Sequence, residues 1–141
     1  MTNLLNIAAP AGRVLLALMF ILSGAQKITG YAGTQGYMEA MGVPGALLPL
    51  VILLELGGGI ALLVGWNARV AAFLLAGFCL VSGVIFHFLP ARAMEGMEAQ
   101  MQMILFLKNV SIAGGMLMVT ALGAGPYALD TRGKPAAVKA A

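Results

Sequence analysis

Two ionisable residues stand inside long apolar runs. Glu55 lies in the run that ends at Val64, and Lys108 in the run from Met101 to Leu122. Charges within a bilayer are costly, so they face the protein interior, pair with one another or line a functional cavity. Gly58 and Gly59 lie one turn beyond Glu55, where a neighbouring helix can press against the carboxylate. Asn109 follows Lys108, with Ser111 and Gly115 on its face. The two runs enter from the same side, which places Glu55 and Lys108 within about one helical turn in depth. They are expected to form an ion pair. Such a pair can exchange a proton at the carboxylate and hold a developing oxyanion at the ammonium, or it can do no more than fix helix register.

Three further residues fall in the same half of the bilayer. Gln26 and Lys27 close the first apolar run, and His87 closes the third. A lysine at a helix end by default snorkels to the headgroups. His87 is the only histidine and the only side chain whose ordinary titration falls near neutral pH. Lys27, Glu55, His87, Lys108 and Asn109 are thus expected to share one outward-opening polar pocket, a candidate ligand or quinone site. Arg13 stands apart, about 21 Å from Lys27 along the helix.

Methionine gives a second constellation. Met38, Met41, Met94, Met97, Met101 and Met103 cluster in the outer connections. Thioethers suit soft metals such as Cu(I), and the MxxM spacing makes Met94, Met97 and Met101 weak metal candidates. An interfacial amphipathic turn over Met94–Met103, with methionine filling irregular gaps, is the favoured reading of the cluster. The lone Cys79 sits in an apolar run and is expected as a buried structural thiol. No GxSxG, HExxH, P-loop or dinucleotide fingerprint occurs, and one histidine cannot supply bis-histidine haem ligation.

The elements that hold these residues follow from composition. The 141 residues are 61% hydrophobic and 9% charged, with a mean hydropathy of +0.97. So few charges cannot clothe a water-soluble enzyme of this size, and there is no clustered basic face for nucleic acid. Four stretches are long enough to span about 30 Å of hydrocarbon: about Ala11–Ile28, Gly45–Val64, Ala68–Phe88 and Met101–Leu122. The expected fold is an all-α, integral membrane four-helix bundle in one domain, followed by a short basic tail over 126–141. Thr29–Pro44 and Leu89–Gln100 read as polar connections, and Gly65-Trp66-Asn67 as a tight turn.

Ser23-Gly24-Ala25 after an apolar run also resembles a signal cleavage site. Cleavage would leave an odd number of spans, so a retained helix is favoured. Arg13, Arg69, Arg132, Lys134 and Lys139 fall on one side, and only Lys27 and Arg92 among the basic residues on the other. The positive-inside rule then puts both termini in the cytoplasm. Small residues at Gly57, Ala61 and Gly65, at Ala68, Ala72 and Ala76, and at Ser111 and Gly115 are expected to let helix backbones approach.

Several features combine into a recognisable series. Arg13 opens a helix ending Ser23-Gly24-Ala25-Gln26-Lys27. Gly42-Val43-Pro44, Glu55-Leu56-Gly57-Gly58-Gly59, Gly65 and Arg69-Val70-Ala71-Ala72 follow. Lys108-Asn109, Gly114-Gly115 and the closing Gly123-Ala124-Gly125-Pro126-Tyr127-Ala128-Leu129-Asp130 complete it. From about Arg13 to Asp130 the chain resembles the DoxX family of small four-helix bacterial membrane proteins. The resemblance implies a bacterial inner-membrane location and a link to quinone redox chemistry, in some relatives as subunits of quinol oxidase or thiosulfate:quinone oxidoreductase systems. It carries over no catalytic residues. The function expected is a small accessory subunit of a quinone-linked redox complex, with no intrinsic cofactor and at most an oxidoreductase subunit without its own electron carrier. Membrane lipids and other membrane or periplasmic redox subunits are its expected partners, with homo-oligomerisation left open. A non-catalytic scaffold and a Met-rich copper-handling protein are the alternatives.

Overall fold

The computed structural model describes residues 2–132, so Lys134 and Lys139 lie outside the described residues. In chain order the elements are α1 (Thr2–Thr29), α2 (Tyr31–Ala40), α3 (Leu48–Val64), α4 (Ala68–Gly83), α5 (Leu89–Ala91) and α6 (Gly96–Leu122). A 3-10 turn, Gly45–Leu47, leads into α3, and a π-turn, Val84–Phe88, joins α4 to α5 in one continuous rod. Four segments are long and apolar enough to cross a membrane: Asn6–Thr29, Gly45–Val64, Ala68–Ala91 and Gly96–Leu122. The architecture is an all-α bundle, with no strand among the described residues.

Close packing follows the small residues, though not all those expected. A Cβ on Gly59 would stand 2.9 Å from Ile21 Cγ1 and 3.2 Å from the Ile21 amide nitrogen. One on Gly24 would stand 2.7 Å from Leu56 Cγ. The α1 and α3 backbones therefore approach where only glycine fits, the close contact that stabilises helix pairs in lipid. Gly57 has no such neighbour. The buried face of α3 is Glu55, Gly59 and Leu62; of the expected Gly57, Ala61 and Gly65, only Gly65 is buried in close contact, and its neighbour is Ala128 rather than another helix. The alanine stripe Ala68, Ala72 and Ala76 is buried as expected. Gly83 meets Asn109 across the α4–α6 seam, where an added Cβ would be 3.1 Å from the Asn109 Cβ. Ser111 is exposed and donates only to Leu107 O of its own helix.

Three stretches are more ordered than expected: in Leu89–Gln100, read as a polar connection, Leu89–Ala91 and all residues from Gly96 on are helical, and two others fold as well. Much of the stretch read as a polar connection over Thr29–Pro44 forms α2, which buries Met38 and stacks Tyr37 on Phe86 with centroids 5.4 Å apart. Gly33 and Gly36 lower its helix propensity, so this packing holds it. The segment from Gly123 to Arg132, including the first part of the expected tail, folds back onto the bundle. Arg13, buried in α1, donates to the carbonyls of Ala124 and Tyr127. Asp130 accepts from the amides of Asn67 and Ala68 at 2.8 and 2.9 Å, capping the exposed N–H groups at the start of α4. Its own amide donates to Gly65 O at 2.8 Å. Arg69 donates to Thr120 O and Ala121 O at the end of α6, satisfying carbonyls that no helical partner reaches. The Gly65-Trp66-Asn67 turn itself needs left-handed backbone at Gly65 (φ 70°) and Asn67 (φ 46°).

Candidate functional site

At the opposite end from Arg13, α1 and α3 cross with Gly24 against Leu56. That register sets Ser23 and Lys27, one turn apart on α1, across from Glu55. The Lys27 ammonium lies 2.9 Å from Glu55 Oε2 and donates to Oε1 at 3.1 Å. Ser23 donates to Oε1 at 3.0 Å and accepts from Lys27 at 2.7 Å. The Oε2 contact is electrostatic, without the angle of a directed hydrogen bond. Glu55 is 3% exposed, and in so dry a place a carboxylate needs a compensating charge.

The ion pair is therefore Lys27–Glu55, not the expected Glu55–Lys108. Lys27 is not a snorkelling anchor, because Glu55 lies within its reach inside the bundle. The Ser23–Lys27 spacing of four residues was the available signal, since it puts hydroxyl and ammonium on one helix face. The sequence reading assigns Ser23 no contact with Glu55.

All five expected pocket residues, Lys27, Glu55, His87, Lys108 and Asn109, line one cavity of about 470 Å³. That volume is within the range of small-molecule sites. Its apolar wall includes Met19, Phe20, Phe78 and Phe86, and Thr34, Tyr37 and Met38 of α2 close one side. Buried Cys79 also borders it. The π-turn inserts an extra residue per turn, and the consecutive residues Ile85, Phe86 and His87 all face the cavity. Such turns recur at functional sites. His87 Nδ1 lies 2.8 Å from Gln102 Oε1. With the amide oxygen as acceptor, Nδ1–H donates and Nε2 is left as the acceptor.

The cavity thus offers a neutralised carboxylate, an imidazole, an amide and a second ammonium against an aromatic wall. These groups can bind and orient a polar ring and exchange protons with it. Sequence reasoning missed the wall aromatics and α2, whose apolar face is too short to register as a span.

The methionine candidates lie elsewhere. Met94, Met97 and Met101 are exposed, and none of them lines the cavity. Among the described residues no group of three or more His, Cys, Asp or Glu side chains is arranged to hold a metal.

Four apolar helices around a cavity with a few polar groups define a small multi-pass membrane protein. The chain belongs to the DoxX family, whose sequence model matches residues 8–88. It is 47% identical over 130 residues to inner membrane protein YqjF of Escherichia coli strain K12, covering 92% of this chain and 95% of that one. It is 35% identical over 122 residues to inner membrane protein YphA of the same strain, covering 85% and 86% respectively. No solved structure matches it significantly.

Proposed function

We propose that this protein is a quinone-linked accessory subunit of a redox membrane complex, with the cavity as its quinone site. The observation that supports this reading is the convergence of Lys27, Glu55, His87, Lys108 and Asn109 on one aromatic-walled cavity. A quinone head needs a flat apolar slot and donors for its two oxygens. Phe20, Phe78 and Phe86 supply the first, and the Lys108 ammonium and the Asn109 amide supply the second. When bound, a quinone supplies two-electron redox chemistry, and a partner subunit carries the electrons onward. Within this chain, Lys108 holds negative charge on the ligand's oxygen. His87 Nε2 and Glu55 exchange protons with it. Both termini face the cytoplasm in this reading, which turns the Lys27 end of the cavity outward.

The complex purified from its own membranes in mild detergent should turn over with quinol as donor. Lys108→Met and Glu55→Gln should each lower that rate at least about ten-fold, the scale of a lost proton-transfer group or oxyanion partner. Unchanged rates in variants with normal helix content would overturn the reading.

One observation favours a second reading, a scaffold. The Lys27–Ser23–Glu55 contacts satisfy one another within the protein, which is what a register-fixing pair requires. A scaffold predicts that Glu55→Gln reduces complex yield while turnover per assembled complex stays the same.

A further inference from the structure

Lys108 stands at the middle of α6, a helix of 27 residues. At a rise of 1.5 Å per residue, it lies about 18 Å from one end of that helix and about 21 Å from the other. A four-carbon stem cannot carry its ammonium to either headgroup layer. Among the described residues it has no anionic partner, because the carboxylate nearest in depth, Glu55, is held by Lys27 at 2.9 Å. His87 faces Gln102. The formal charges lining the cavity are two ammoniums and one carboxylate. The cavity is therefore one negative charge short of neutrality, in surroundings where an unpaired charge is costly.

The geometry points to a ligand that binds as a lipophilic monoanion, its acidic head on Lys108 and its apolar body along Phe20, Phe78 and Phe86. This rests on reading the cavity as a ligand site and adds the charge that its occupant carries. Asn109, next along α6, offers a neutral donor to the same head. Glu55 does not repel it, because Lys27 and Ser23 already hold that carboxylate. Val81 and Lys108 are both exposed and both line the cavity, so the mouth opens toward the acyl chains at that depth. Two kinds of molecule share this chemistry: an acidic hydroxyquinone and a long-chain carboxylate.

Equilibrium binding to the intact protein in neutral detergent at pH 7 separates them. One pair of probes is a 2-hydroxy-3-alkyl-1,4-naphthoquinone and its neutral 2-methoxy analogue. The other is a long-chain fatty acid and its methyl ester. The expected result is that the anionic naphthoquinone binds at least about ten-fold more tightly than the methoxy form, the scale of a desolvated charge-assisted contact. Lys108→Met should abolish this preference and Lys108→Arg retain it. Preference for the fatty acid over its ester, with neither naphthoquinone bound, upholds the monoanion and overturns the quinone reading. Equal binding of both naphthoquinones overturns the monoanion and leaves the quinone reading standing. A preference that survives Lys108→Met overturns the role of Lys108. Absence of binding by all four probes overturns both readings.

Discussion

Lys27→Met should destabilise the protein by about 3 kcal/mol, the low end of the cost of breaking a buried ion pair by removing one partner. Glu55 is 3% exposed, and in the variant it keeps only the Ser23 hydroxyl at 3.0 Å. The low end applies because the Lys27 side chain is 24% exposed and gives up part of its interaction to solvent. The double variant Lys27→Met, Glu55→Gln should recover most of the loss, because no uncompensated charge then remains. Equilibrium unfolding in mixed micelles measures the full cycle, and the expected coupling is about 2 kcal/mol. If Lys27→Met costs no more than an exposed lysine substitution, the pair does not join α1 to α3.

Arg13→Leu should cost about 2–4 kcal/mol. The buried guanidinium donates to Ala124 O and Tyr127 O, and each carbonyl left without a donor costs roughly 1–3 kcal/mol. The loss extends past Arg13 itself. The same returning segment brings Asp130 to the start of α4, so loosening it also uncaps that helix. Arg13→Lys should restore only part of the stability, since a single ammonium cannot copy a planar fork that reaches two carbonyls. Thermal unfolding gives the magnitude. Limited proteolysis checks the mechanism, with cleavage expected within Gly123–Arg132 in Arg13→Leu and not in the native protein.

These two arginine- and lysine-centred networks show where sequence reasoning reaches its limit. The four spans were legible because about twenty apolar residues in a row have few other uses. Glu55 stood out because so little charge lies within the runs. Its partner is not legible, because depth alone matches Glu55 to Lys108 while Lys27, the partner observed, sits at a helix end. The Gly24–Leu56 and Gly59–Ile21 contacts decide the matter, and they depend on which helices adjoin. Inter-helix register of that kind leaves no periodic trace in a single sequence.

The capping role of Asp130 is not legible in the sequence for a different reason. A helix cap is ordinarily sought beside the helix it closes, and this one arrives from far along the chain. The π-turn at Val84–Phe88 likewise has no residue signature. It accounts for the cavity-facing positions of both Phe86 and His87. That Lys27, Glu55, His87, Lys108 and Asn109 line one cavity is legible in the sequence, because matching depth along antiparallel helices is simple arithmetic once the spans are known.

A quinone-class lipophile is the proposed occupant of the cavity between α1, α3, α4 and α6. Photoaffinity labelling with an azido-quinone in native membranes, followed by peptide mapping, tests it most directly. Label is expected on cavity residues such as Phe20, Phe78 and Phe86, and excess unmodified quinone should remove it. Label spread over outward-facing Leu15, Leu53 and Leu122, and indifferent to competitor, would contradict it.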